Sequence, residues 1–136
     1  MIKQRIVFAA VKCGRDPDSI KLLAVTKTIP AEYIIKAIDA GITMLGENYV
    51  QEAKDKIAAI GDRAQWHMIG HLQTNKAKYA VKLFDYIHSV DSIELAQELN
   101  KRARLIGRKI NILMEVNVSG EKTKSGAPLS TVIGLI

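Results

Sequence analysis

The first apolar run of the chain is Lys21-Leu22-Leu23-Ala24-Val25-Thr26-Lys27, and Thr28-Ile29-Pro30 follows it directly. Such a run is typical of a buried strand, and Pro30 stands where a helix commonly begins. A helical pattern then covers residues 31–40, with isoleucines on one face, and ends at Gly41. Residues 21–41 therefore predict one strand–helix unit of an α/β protein.

The same rhythm recurs along the chain. Strand-like runs begin about 20 to 25 residues apart, which is the length of one βα unit with short loops. These runs are Leu22–Thr26, Ile42–Gly46, Gln65–Gly70, Tyr86–Val90 and Ile110–Val118. Helical patterns occupy Ile2–Val11, Tyr49–Ile60 and Ser92–Ile106. Alternating apolar strands and helices predict a parallel sheet covered by helices.

Two architectures are compatible with this pattern. One is a complete doubly wound domain, and the other is a (β/α)8 TIM barrel, which needs about 250 residues. The chain has no Gly-x-Gly-x-x-Gly after its first strand, and its sequence stops without a helix to cover the last strand. These features favour the barrel, with residues 1–136 as one partial barrel domain that supplies about the first five βα units.

Composition narrows the class of protein. With 48% hydrophobic and 25% charged residues, the 136-residue chain fits one soluble globular domain. No signal peptide and no apolar run of about 20 residues is visible, so we expect a cytoplasmic protein without a membrane span. Cys13 is the sole cysteine of the sequence, which excludes an internal disulfide and a multi-cysteine metal site.

The net charge of +6 raises the possibility of a module that binds nucleic acid or protein. Its densest basic stretch, residues 101–109, falls at the end of a predicted helix, where cations stabilise the helix dipole. Aromatic residues make up 5% of the chain, and none alternate with these charges as a base-stacking surface requires. We therefore expect a solvated helix end and no nucleic-acid partner.

Polar side chains collect where the predicted strands end, and in either architecture those ends meet at one site. Lys27 lies at one of these strand ends. A low dielectric constant there lowers the pKa of an amine, which can then form a Schiff base with an aldehyde. The plain alternative is a lysine side chain that reaches solvent.

The other polar residues suggest no metal site, because the histidines lack the spacing of zinc ligands. Asn75-Lys76 fits either a phosphate-binding helix start or a simple cap. The set comprises Lys27, Glu47, Asn48, Tyr49, His67, Gly70, His71, His88, Ser89, Asp91, Asn117 and Ser119.

Five motifs carry a family resemblance that runs from about Gly14 to about Gly126. They are Leu22–Thr28, Gly46–Glu52, Trp66–Lys76, His88–Ser92 and Asn117–Gly126, in this order. Together they resemble the YggS/PROSC family of pyridoxal phosphate homeostasis proteins, whose fold is similar to the N-terminal barrel of alanine racemase.

The resemblance implies that Lys27 carries pyridoxal 5′-phosphate (PLP) as an aldimine, with Asn48, Ile69, His67, Ser89 and Asn117 lining the cofactor site. It implies a carrier or buffer of the cofactor, with PLP-dependent apoenzymes as partners, no bound metal and no catalytic residue. A racemase-like PLP enzyme of the same fold is the alternative, although such racemases use a second domain that we do not expect here. The family's phosphate-binding segments have no counterpart in these residues, so we expect a piece of a longer protein.

Overall fold

The computed structural model describes residues 2–121 and 123–135, which contain one five-stranded parallel sheet. Its strands are β1 (Ala24–Val25), β2 (Met44–Glu47), β3 (Gln65–Met68), β4 (Tyr86–Val90) and β5 (Asn111–Met114). Each strand pairs with the next one along the chain. A doubly wound sheet reverses its strand order at a switch point, whereas a barrel wall does not. The barrel-type prediction is therefore confirmed over these strands, and the doubly wound alternative is wrong.

Helices follow the first four strands and one precedes them. They are α1 (Ile2–Lys12), α2 (Ala31–Asp39), α3 (Val50–Ile60), α4 (Ala77–Leu83) and α5 (Ile93–Leu105). Ser92 caps α5 as its sequence predicts, because its Oγ accepts a hydrogen bond from the Leu95 amide at 3.3 Å. Short 3₁₀ turns lie at Pro17–Ser19, Thr74–Lys76 and Leu129–Leu135. In the described part of the chain, no helix has the length and apolarity needed to cross a membrane.

Two strands differ most from their predicted extents. The run Leu22–Thr26 forms a strand only at Ala24–Val25. The run Ile110–Val118 is divided at Glu115 into β5 and β6 (Val116–Asn117). The Glu115 amide still donates to Val90 of β4 at 2.9 Å, but its carbonyl accepts from Ala127 of β7 (Ala127–Pro128) at 2.7 Å. The backbone at Glu115 thus leaves the main sheet and starts a second, two-stranded one.

The core lies between one face of the sheet and helices α2 to α5. Its largest fully buried apolar side chains are Phe84, Ile34, Leu45, Met68, Leu72, Ile87 and Leu95. Val25 and Leu113, by contrast, are 53% and 50% exposed. The sheet therefore has one face covered by helices and an opposite face that is open at both of its edge strands.

Candidate functional site

Lys27 lies in a tight turn immediately after β1. The carbonyl of Thr26 accepts a hydrogen bond from the Ile29 amide at 3.0 Å, so Lys27 and Thr28 are the two central residues of a β-turn. Thr28 has a φ of 63°, a left-handed conformation that is uncommon for residues other than glycine. The turn places Lys27 at the carboxyl end of the sheet.

The side chain of Lys27 is exposed. The low-dielectric strand end predicted from the sequence is therefore wrong for the described residues. The reason is that the sheet face opposite the helices is open, as the exposure of Val25 two residues earlier shows. The amine is consequently accessible to a ligand that arrives from solution.

Asn48 follows β2 and touches the loop that follows β3. A Cβ atom on Gly70 would lie 2.7 Å from Cα of Asn48, closer than real Cβ contacts come. Only glycine therefore lets these two backbone segments meet. This contact brings half-buried Asn48 to the same end of the sheet as Lys27.

Ile69 covers the glycine of β2. A Cβ atom on Gly46 would lie 2.8 Å from Cδ1 of Ile69. Gly46 pairs with Val25 on one side and with His67 on the other, so these residues share one sheet face. Ile69 thus provides apolar surface on the open face, next to the strand that ends in Lys27.

Two histidines form a pair on this face. Nδ1 of His67 lies 2.9 Å from Nε2 of His88, and the His67 ring stacks on Tyr86 with 4.6 Å between ring centres. Burial lowers the pKa of His67, and the neighbouring His88 lowers it further; burial also lowers the pKa of His88. Both rings are therefore neutral at pH 7 and share one proton in their hydrogen bond.

Two buried polar atoms on β3 and β4 lack a hydrogen-bond partner among the described residues. They are Nε2 of His67 and Oγ of Ser89. Ser89 is 2% exposed and lies where the β4–β5 register shifts, between Ile87 and Val90. Buried polar atoms in proteins nearly always have a partner, so each of these is an atom that a bound water or ligand would satisfy.

Glu47 does not belong to the site, contrary to the sequence-based prediction. It is fully buried, and its Oε1 accepts hydrogen bonds from Nζ of Lys56 at 2.8 Å and from Oγ1 of Thr26 at 2.6 Å. It therefore lies between the sheet and α3. Lys56 and its second partner Glu52 are not among the residues predicted from the sequence, although their spacing of four residues on one helix is a usable signal.

Asn117 organises the loop that follows β6. Its Nδ2 donates to the carbonyls of Glu121 at 2.9 Å and Lys124 at 3.4 Å, while its Oδ1 accepts from the Gly120 amide at 2.9 Å and from Oγ of Ser119 at 3.2 Å. The amide of Asn117 is thus engaged within its own loop. Its contact with a ligand stays a prediction.

The loop after β3 decides against one of the two roles considered for Asn75. Asn75 lies inside the 3₁₀ turn, and the residue that caps α4 is Lys76, without a side-chain bond, so the cap alternative is wrong, while the phosphate-binding alternative stays a prediction. His71 is exposed, with Nδ1 3.6 Å from Oδ2 of Asp91. A groove of about 640 Å³ adjoins this loop and is lined in part by Asn48, His71 and Lys76, but not by Lys27.

Two of the five basic residues in the stretch 101–109 form internal contacts in the described structure, and the other three are exposed. Arg102 forms an ion pair with Glu98 at 2.6 Å. Arg108 donates from one nitrogen to the carbonyls of Val81 and Lys82 at 2.9 Å each, at the end of α4. Cations in such positions stabilise helix ends, as the sequence analysis expected for this stretch. Among residues 2–121 and 123–135, no three His, Cys, Asp or Glu side chains are grouped to hold a metal ion.

Comparison with known proteins identifies the family to which this chain belongs. The family model described as the alanine racemase N-terminal domain matches residues 9–136, nearly the whole chain. The chain belongs to this family. The predicted resemblance is confirmed by the pyridoxal phosphate homeostasis protein of Escherichia coli K12, which is 42% identical over 133 residues. That match covers 95% of this chain and 57% of the relative, so the chain spans little more than half of the relative's length.

Solved structures agree with this assignment of the family. PipY of Synechococcus elongatus, solved with PLP bound, superposes with a TM-score of 0.80 at 37% identity, over 99% of this chain and 64% of PipY. An alanine racemase of Clostridium difficile superposes with a TM-score of 0.68 at 20% identity, over 99% of this chain and 37% of the racemase. The second likeness shows the fold alone and confirms the alanine racemase N-terminal type of barrel.

Proposed function

We propose that this chain is the PLP-attachment part of a pyridoxal phosphate homeostasis protein, which carries or buffers the cofactor through Lys27 and has no turnover reaction of its own. The observation that carries the proposal is the position of Lys27, an exposed lysine in a turn at the carboxyl end of the first barrel strand. The relatives support it by their names, and PipY supports it by its bound PLP.

The residues of the site fit the chemistry of the cofactor. The aldehyde of PLP supplies a carbon to which the Lys27 nitrogen bonds, and the aldehyde oxygen leaves as water. Ile69 offers apolar surface, while Asn48 offers an amide at the same end of the sheet. Nε2 of His67 and Oγ of Ser89 are buried polar atoms without a partner among the described residues, which a bound ligand or water would satisfy.

A carrier role follows from what surrounds Lys27. The exposed amine admits a ligand and releases it, as storage requires. Stereospecific proton transfer requires a positioned acid–base group close to the reacting carbon. The imidazoles of buried His67 and half-buried His88 are hydrogen-bonded to each other instead. Delivery of the cofactor to PLP-dependent apoenzymes and a cytoplasmic location are part of the proposal.

A titration of the full-length protein tests the proposal. PLP added to the protein should give the absorbance of a lysine-bound cofactor, and Lys27→Ala should abolish that signal. Lys36→Ala is the matched control, because Lys36 lies on α2 with its Nζ 5.2 Å from the Tyr33 ring centre, and this variant should bind like the wild type. Retention of the same covalent signal by Lys27→Ala would overturn the assignment.

Turnover assays decide between a carrier and an enzyme. The PLP-saturated full-length protein should racemise, transaminate or decarboxylate common amino acids no faster than free PLP does. A turnover that Lys27→Ala abolishes would contradict the carrier role and favour a racemase-like enzyme.

A further inference from the structure

Side chains of helix α3 form hydrogen bonds with the backbone of both residues that flank Lys27. The carbonyl of Thr26 accepts a hydrogen bond from Nζ of Lys56 at 2.6 Å. The amide of Thr28 donates to Oε1 of Glu52 at 2.5 Å. The helix therefore grips the backbone on each side of the lysine, while the lysine side chain itself stays exposed.

Lys56 is the centre of this arrangement. Its Nζ bonds to Thr26 O at 2.6 Å, to Glu47 Oε1 at 2.8 Å and to Glu52 Oε1 at 2.7 Å. An ammonium has three N–H donors, so all of them are used. Lys56 is only 7% exposed, and lysine is rarely so buried unless it is paired. Its three bonded partners are not among the residues assigned above to the binding of a ligand, so ligand binding does not explain the burial of Lys56.

The turn itself shows why a restraint is needed. Thr28 adopts a φ of 63°, which a threonine rarely does unless its surroundings impose it. The bond from its amide to Glu52 is such a constraint, and Glu52 is in turn fixed by Lys56. The bond to Lys56 also lowers the pKa of Glu52, which keeps this acceptor ionised at neutral pH.

We propose that Lys56, with Glu52, is a positioning residue for Lys27: buried Lys56 and half-buried Glu52 hold the backbone of residues 26–28 so that the exposed amine is presented to the aldehyde of the ligand. This inference rests on the function proposed above. The lysine side chain is flexible. A fixed backbone at residues 26–28 therefore limits the positions that the Lys27 amine can reach. Misplacement of a reacting group by about 1 Å can cost about a hundredfold in rate.

The experiment compares two pairs of variants of the full-length protein. Lys56→Met removes the bond to Thr26 and the ion pair that fixes Glu52, and Glu52→Ala removes the bond to Thr28 while it leaves Lys56 paired with Glu47. The matched controls are Lys54→Met and Asp55→Ala, which change the same charges at exposed positions of the same helix. The measured quantities are the total PLP bound and the rate at which borohydride-trappable adduct forms at Lys27.

We expect Lys56→Met and Glu52→Ala to slow adduct formation about ten- to a hundredfold, with a smaller change in total PLP bound, while both controls stay within about twofold. A merely structural role would lower both quantities in proportion. Wild-type rates in Glu52→Ala would overturn the inference, and this variant decides alone if Lys56→Met does not fold.

Hydrogen exchange at the Thr28 amide separates this inference from the proposed function. If the wild type forms no adduct at Lys27, the proposed function fails, but exchange still tests the grip without any ligand. Loss of a bond to a charged acceptor should make exchange in Glu52→Ala about tenfold faster or more, and the Asp55→Ala control should leave it unchanged. An unchanged rate in Glu52→Ala would contradict the inference.

Discussion

Replacement of Lys56 by methionine should strongly destabilise the full-length protein. The side chain of Lys56 is 9% exposed and that of Glu47 is fully buried, so their ion pair belongs to the buried class. Removal of one partner from such a pair costs about 3–5 kcal/mol, because the other charge stays buried without compensation. Here the remaining carboxylate would keep only the hydroxyl of Thr26 among its described partners. The free energy of unfolding, measured by urea denaturation, should fall by this amount.

Two comparisons make this prediction sharp. Arg63→Met breaks an equally direct pair with Asp39, at 2.6 Å, but those side chains are 45% and 61% exposed. Its cost should be less than about 1 kcal/mol. The double variant Lys56→Met/Glu47→Gln should recover much of the loss, because it removes the uncompensated charge. A loss in Lys56→Met no larger than that in Arg63→Met would refute the reasoning.

Three further results are expected. Gly70→Ala should weaken PLP binding and lower stability in thermal unfolding, because its new Cβ would meet a backbone Cα at 2.7 Å; unchanged unfolding would show that the two loops can separate freely. The free energy of unfolding should decrease as the pH falls below about 6.5, because burial lowers the pKa of His67 and His88 and the unfolded chain therefore takes up protons first. His88→Asn should flatten this dependence, and equal wild-type stability at pH 7.5 and 5.5 would contradict it. These 136 residues expressed alone should self-associate in sedimentation experiments, because Ile112 and Leu113 of the edge strand are 44% and 50% exposed; a cooperative monomer would count against this expectation.

Much of the fold was predictable from local pattern. The alternation of apolar runs with helical segments depends on side-chain periodicity, which the sequence displays directly. Ser92 was recognisable as a cap because the local chemistry of a hydroxyl before a helix suffices. The apolar run that precedes Lys27 placed this lysine at a strand end, which the turn after β1 confirms.

The errors arose where tertiary contacts decide the outcome. Glu47 was assigned to the site because it follows the predicted strand, but it is the last residue of β2 and lies on the helix-covered face, where it pairs with Lys56 of α3. The burial of Lys27 was wrong because exposure depends on which surfaces cover a sheet face, and no local pattern encodes this. The left-handed turn at Thr28 was likewise invisible, since threonine carries no preference for that conformation.

The location of the covalent adduct tests the central claim most directly. The full-length protein is loaded with PLP, reduced with borohydride and digested with trypsin, which does not cut after a modified lysine. Attachment at Lys27 predicts a labelled peptide of residues 22–36 in place of the unlabelled peptides 22–27 and 28–36. Label on peptide 28–54, which reports Lys36, on peptide 64–78, which reports Lys76, or on no peptide at all would contradict the account.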